Sequence, residues 1–146
     1  MRLGGTKLLG ATGAAALAAA VLVLGPVPFG TGGSVEPKRG TYAGGGNLKD
    51  DASSWVQVGF IFNQGQVTQE AGVAGYPGGC TGGWSIPPAS IDADGRFDVS
   101  QGNQRFRGRF VEDNVAKGTI KLEHTAFPQC TGIYKYNFKA RRYGGP

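Results

Sequence analysis

The sequence predicts an all-β domain, a small antiparallel sandwich or barrel of seven or eight short strands, with an internal pseudo-repeat and an N-terminal signal helix in front of it. Three observations carry this. Apolar side chains recur at every second position in several short segments, the period of a strand with one buried face. Glycine supplies 27 of the 146 residues, a composition that favours turns and short strands over helices. A phrase is also stated twice: Arg39-Gly40-Thr41-Tyr42, an alternating run and Cys80-Thr81-Gly82-Gly83-Trp84 return as Arg107-Gly108-Arg109-Phe110, a second alternating run and Cys130-Thr131-Gly132-Ile133-Tyr134.

The chain opens outside that pattern. Arg2 and Lys7 precede an uncharged, Ala- and Gly-rich run from Leu8 to Leu24, which Gly25-Pro26 stops before a small-residue stretch. Basic, apolar and small-residue regions in that order are the layout of an export signal. As a helix the run reaches only about 26 Å, short of the roughly 30 Å hydrocarbon layer. Residues 1–33 are therefore expected to be a signal peptide plus linker, with a retained N-terminal anchor as the alternative. Ala18-Ala19-Ala20 and Gly30, Gly32 and Gly33 both offer small-residue cleavage positions. No cysteine follows the apolar run, which excludes lipoprotein attachment there. Residues 34–146 then form a single β domain, secreted or held in the cell envelope.

Within the domain, Gly40 to Ala43 reads as a first strand. Val56, Val58, Phe60 and Phe62 alternate with Trp55, Gln57, Gly59 and Ile61 in a second. Asn63-Gln64-Gly65 turns the chain into a third, Gln66 to Ala74. A short segment around Trp84 to Ile86 follows, and Asp94-Gly95 opens Arg96 to Val99. Phe106, Gly108 and Phe110 point one way and Arg105, Arg107 and Arg109 the other. Beyond Glu112-Asp113-Asn114, Ile120 and Leu122 point inward and Lys121 and Glu123 outward. Tyr134, Tyr136, Phe138 and Ala140 form the last inward row, against Lys135, Asn137, Lys139 and Arg141.

Cys80 and Cys130 are the only cysteines. An even pair at matched places of the repeat, behind an export signal, reads as one disulfide.

The order Arg-Gly-Thr-Tyr, Val-x-Val-x-Phe, Cys80, Asp-Gly-Arg-Phe, Phe-x-Gly-x-Phe, Gly-Thr-Ile-x-Leu, Cys130-Thr-Gly and an aromatic strand ending Lys139-Ala140-Arg141 resembles a group of small exported β proteins of high-GC Gram-positive bacteria. The resemblance spans Arg39 to Arg142. It implies a scaffold of turn glycines and core aromatics and brings no catalytic residues. The Gly- and Pro-rich insert from Ala74 to Pro88 departs from it.

Catalytic and cofactor motifs are sparse. His124 is the only histidine and has no nucleophile elbow to serve, so it reads as structural or surface. Asp92, Asp94 and Asp98 around Gly95 lack the ligand spacing and distal glutamate of a calcium loop, and Asp-Gly between strands reads as a hairpin turn. Gly44-Gly45-Gly46 lacks the Lys-Ser/Thr ending of a phosphate loop and reads as a flexible turn. No catalytic set, metal site or cofactor is expected.

Charge is the one uneven feature. Ser34 to Gly95 holds three basic and six acidic residues, net −3, whereas Arg96 to Pro146 holds ten basic and four acidic, net +6. The binding residues expected are Arg105, Arg107 and Arg109 on one strand with Lys135, Lys139 and Arg141 on another beside it. Such a face suits an anionic cell-surface polymer or membrane headgroups, and no specific nucleic acid. The expected function is thus a non-catalytic exported cell-envelope module. The alternative is a small exported enzyme or enzyme inhibitor that uses the 74–88 insert as its working loop.

Overall fold

The computed structural model describes residues 35–145, so the signal helix and linker expected at 1–33 lie outside the described residues. Nine strands follow one another: β1 (Gly40–Leu48), β2 (Asp51–Asn63), β3 (Gln66–Gly75), β4 (Thr81–Ile86), β5 (Ala89–Ser90), β6 (Arg96–Gln101), β7 (Gln104–Glu112), β8 (Val115–His124) and β9 (Gly132–Gly144). Eight lie in one antiparallel path, β4-β3-β2-β1-β9-β8-β7-β6, and the two-residue β5 pairs the start of β3. Of the two architectures expected, the barrel side holds: one curled sheet forms an open half-barrel. The chain builds it from two meanders, β1–β4 and β6–β9, joined where β1 pairs β9. The first and last strands therefore lie in the middle, and β4 and β6 are the free edges.

Each cysteine phrase stands at a strand entrance, Cys80 before β4 and Cys130 before β9. Two strands separate the arginine phrase from the cysteine phrase in the first half, and one in the second. The two phrases thus serve the same local role at different places in the sheet.

Alternation delivers the core. Phe60, Phe62, Phe106, Phe110, Ile120, Leu122, Tyr136 and Phe138 are all buried, as the period predicts. Their rings interlock: Tyr42 stacks on Phe60 at 5.1 Å, and Phe106 stacks on Phe138 at 5.1 Å. Trp84 from the β4 edge and Phe97 from the β6 edge both pack on Phe106, at 6.1 and 5.1 Å. The interior between the free edges is filled by rings, where a closed barrel would have backbone hydrogen bonds. Tyr42 also places its hydroxyl 2.7 Å from the Lys38 carbonyl and 3.0 Å from that of Asp113, and burial pushes it up to about 12.

Three expectations change. Gly44-Gly45-Gly46 is not a turn and lies inside β1, because the flanking strands come too close for side chains. A Cβ at Gly44 would sit 1.9 Å from the Lys139 carbonyl oxygen, and one at Gly46 1.7 Å from that of Asn137. Asp92 to Gly95 is not a hairpin; it carries the chain from β5 on one edge to β6 on the other, strands that do not pair. Asp92 Oδ1 there accepts the N–H groups of Asp94 and Arg96, both at 2.9 Å, and Gly95 takes the left-handed φ of 73°. The 74–88 insert is mostly strand: a turn in which the Tyr76 N–H donates to the Cys80 carbonyl at 2.8 Å, and then β4. The loop on which the enzyme or inhibitor alternative relied is drawn into the sheet by pairing with β3. Asn63-Gln64-Gly65, by contrast, is the expected β2–β3 turn, with φ of 50° and 74° at Gln64 and Gly65.

Cys80 and Cys130 are bonded across 50 residues, with Cα atoms 6.2 Å apart, tying the entrance of β4 to that of β9. Chain-entropy reasoning for such a loop gives about 4 kcal/mol of stabilisation. The Cys80→Ser/Cys130→Ser double variant is expected to lose stability of that order in urea unfolding monitored by tryptophan fluorescence. A loss under about 1 kcal/mol would show that the half-barrel holds without its staple.

Candidate functional site

The positions that alternate out of the core on β6–β9 carry the charge. Arg105, Arg107 and Arg109 on β7 are all exposed, as are Lys135, Lys139 and Arg141 on β9. The two rows are not neighbours, however, because β8 lies between them and contributes Lys117 and Lys121. Cross-strand register lines these residues up into rungs. Arg96 faces Arg109, which faces Lys117, which faces Lys139, one cation on each of four strands. Four residues along β7, Arg105 faces Lys121, which faces Lys135. Between them runs a mixed rung of Asp98, Arg107, Thr119 and Asn137. Arg141 sits beyond the first rung, opposite Val115 and Ala43. Arg96, Lys117 and Lys121 complete these rungs, although the sequence alone does not place them with the expected binding residues. Their signal was present in the alternation of their strands, but the pairing that aligns them is a property of the fold.

Pairing also removes one charge. Arg105 forks onto Asp98, with Nε 2.7 Å from Oδ1 and the other arm on Oδ2. That hydrogen bonding holds the Asp98 carboxyl below the usual carboxylate range, with the charges of Arg105 and Arg107 adding to it. Asp98, Arg96, Arg107, Arg109, Lys117 and Thr119 line much of a hollow of about 860 Å³ on this surface. The outward row of β2, by contrast, runs Trp55, Gln57, Gly59 and Ile61 without a charge.

Two buried polar groups lie away from this face. His124 ends β8, only 7% exposed, with its ring 4.5 Å from Tyr76 and stacked on Phe127 at 6.0 Å; its Nδ1 has no hydrogen-bond partner. Glu70, on β3, is 1% exposed and both of its carboxylate oxygens lack partners. Burial pushes its carboxyl up to about 7; the backbone N–H groups of Glu70 itself and of Ala89 pull the other way but fall short of hydrogen-bond geometry. No cluster of three potential metal ligands occurs among the described residues.

Comparison with family models, curated proteins and solved structures finds no match to this chain.

A raised carboxyl makes stability depend on pH in one direction. The folded state binds the Glu70 proton more tightly than the unfolded chain does, so its contribution is full below about pH 4.5, falls as pH rises towards 7 and stays lost above it. The span corresponds to an effect on the order of 3 kcal/mol. Urea midpoints of the wild type and Glu70→Gln are expected to diverge as pH rises through that window, with the variant the less pH-sensitive. Parallel curves would show that Glu70 ionises freely in the folded domain.

Proposed function

We propose that this protein is a non-catalytic, exported cell-envelope module that holds an anionic surface polymer electrostatically on the outer face of β6–β9. The observation that carries the reading is the rung Arg96, Arg109, Lys117 and Lys139. At an interstrand spacing of about 4.8 Å, such a rung sets four cations across about 14 Å, so an extended polyanion laid across the strands meets one at every step. Arg107 and the second rung widen the contact along the strands. An outer sheet face whose cations are aligned in rungs suits an extended polymer, and exposed cations gathered on one face raise the local concentration of a polyanion by long-range attraction. The Cys80–Cys130 bond fits an extracytoplasmic setting, where disulfides persist.

Binding of this kind must weaken with salt, because at about 0.15 M the Debye length is only about 8 Å. The Arg109→Gln/Lys117→Gln/Lys139→Gln variant is expected to lose retention on purified cell walls by at least about tenfold, at about 1 kcal/mol for each cation near an anionic surface. Asp98→Asn is expected to act in the opposite sense, since it frees Arg105. Both are measured by cosedimentation with purified walls at low and high salt, with acidic vesicles as a parallel arm. Retention that ignores both variants, or that is insensitive to salt, would overturn the proposal; retention on vesicles alone would assign the face to lipid headgroups.

A further inference from the structure

Glu70 is buried at the one place where β3 is irregular on both sides. Towards β2, the register passes from Gly59 opposite Ala71 to Ile61 opposite Thr68, so Gln69 and Glu70 together face the single residue Phe60. Gln69 takes the left-handed φ of 55°, unusual for a residue with a side chain. Regular alternation from buried Val67 would bring Gln69 inward and leave Glu70 in water; the bulge reverses this and turns the carboxylate into the core. Towards the free edge, β4 ends at Ile86, directly opposite Glu70. Pro87-Pro88, which carry no N–H donors, then interrupt the edge before β5 resumes with Ala89 opposite Val67 and Ser90 opposite Gln66.

We propose that Glu70 is the latch of a pH-gated strap: with its carboxyl protonated, residues 87–91 lie closed on β3, and ionisation of the carboxyl releases them from that edge.

No countercharge is built in to hold the ionised form. β4 and β5 bear no charged residue, and the single charge on β2, Asp51, stands at its far end. On β6, Arg96 and Asp98 are exposed on the outer face, with Asp98 forked to Arg105. Asp92 and Asp94 in the connecting turn are exposed as well. The backbone N–H groups of Glu70 and Ala89 lie near the carboxylate but make no hydrogen bond to it, so among Phe60, Ile86 and Ala89 the ionised form is fully solvated only if water reaches it. The weakest cover is the strap, held by the two-residue β5 ladder and by the Ile91 N–H donating to the Gly65 carbonyl at 2.9 Å. Its release uncovers Val67 and Ala89, both buried, so the open form presents apolar surface beside a free sheet edge. The upward push that burial gives the Glu70 carboxyl, to about 7, places the transition near neutrality.

The test is hydrogen–deuterium exchange of the oxidised full chain at about pH 5.5 and about pH 8, corrected for intrinsic exchange rates. Peptides spanning 86–92 are expected to open at least about tenfold more at the higher pH, while peptides from β7–β9 keep their protection. Glu70→Gln is expected to keep the strap closed at both. A second measurement needs no variant: ¹³C NMR of the wild-type glutamate carboxyls is expected to show Glu70 titrating near neutrality. Strap protection that does not change with pH, equal opening in Glu70→Gln, or an ordinary glutamate midpoint for Glu70 would each overturn the proposal.

Discussion

The structure depends on how the ring of Phe106 is covered. An eight-stranded sheet that curls without closing leaves two unpaired edges, and its interior would stand open to water between them. Here Trp84 from one edge and Phe97 from the other meet on Phe106, and Phe138 stacks on the same ring. The contact between the edges is thus made by side chains, which exclude water without hydrogen-bonding β4 to β6. The disulfide adds a covalent tie between the entrances of β4 and β9. The edges are otherwise protected from pairing with other chains by Pro87-Pro88 at one and by the charges of Arg96 and Asp98 at the other.

This arrangement frees the outer face. Because alternation assigns every second residue to the ring-filled interior, the remaining positions of β6–β9 carry no packing duty and can hold cations. Their number is a matter of sequence; their alignment is a matter of register. Arg96, Arg109, Lys117 and Lys139 lie up to 43 residues apart in the chain and become one row only through three separate strand pairings.

That distinction decides what the sequence revealed. Inward and outward assignments such as Phe106 against Arg107 were legible, because a period of two is local. The turn at Gln64-Gly65 was legible for the same reason. The pairing of β1 with β9 was not, since nothing local to either strand names its partner. Gly44 to Gly46 look like a turn until Lys139 and Asn137 are placed beside them, when the space for a Cβ disappears. Arg105 looked like a member of the cationic set, but its partner Asp98 depends on the β6–β7 register. Glu70 was the least legible: the bulge that turns it inward has no signature in Gln69-Glu70 and follows from the pairing of β3 with β2.

The most direct measurement of the central claim is residue-resolved NMR of the oxidised domain titrated with inorganic polyphosphate as a defined polyanion. The expected result is shift changes confined to the outward positions of β6–β9, centred on Arg96, Arg109, Lys117 and Lys139 and reversed by added salt. Changes centred on β2–β4, or spread evenly over both halves, would contradict the account.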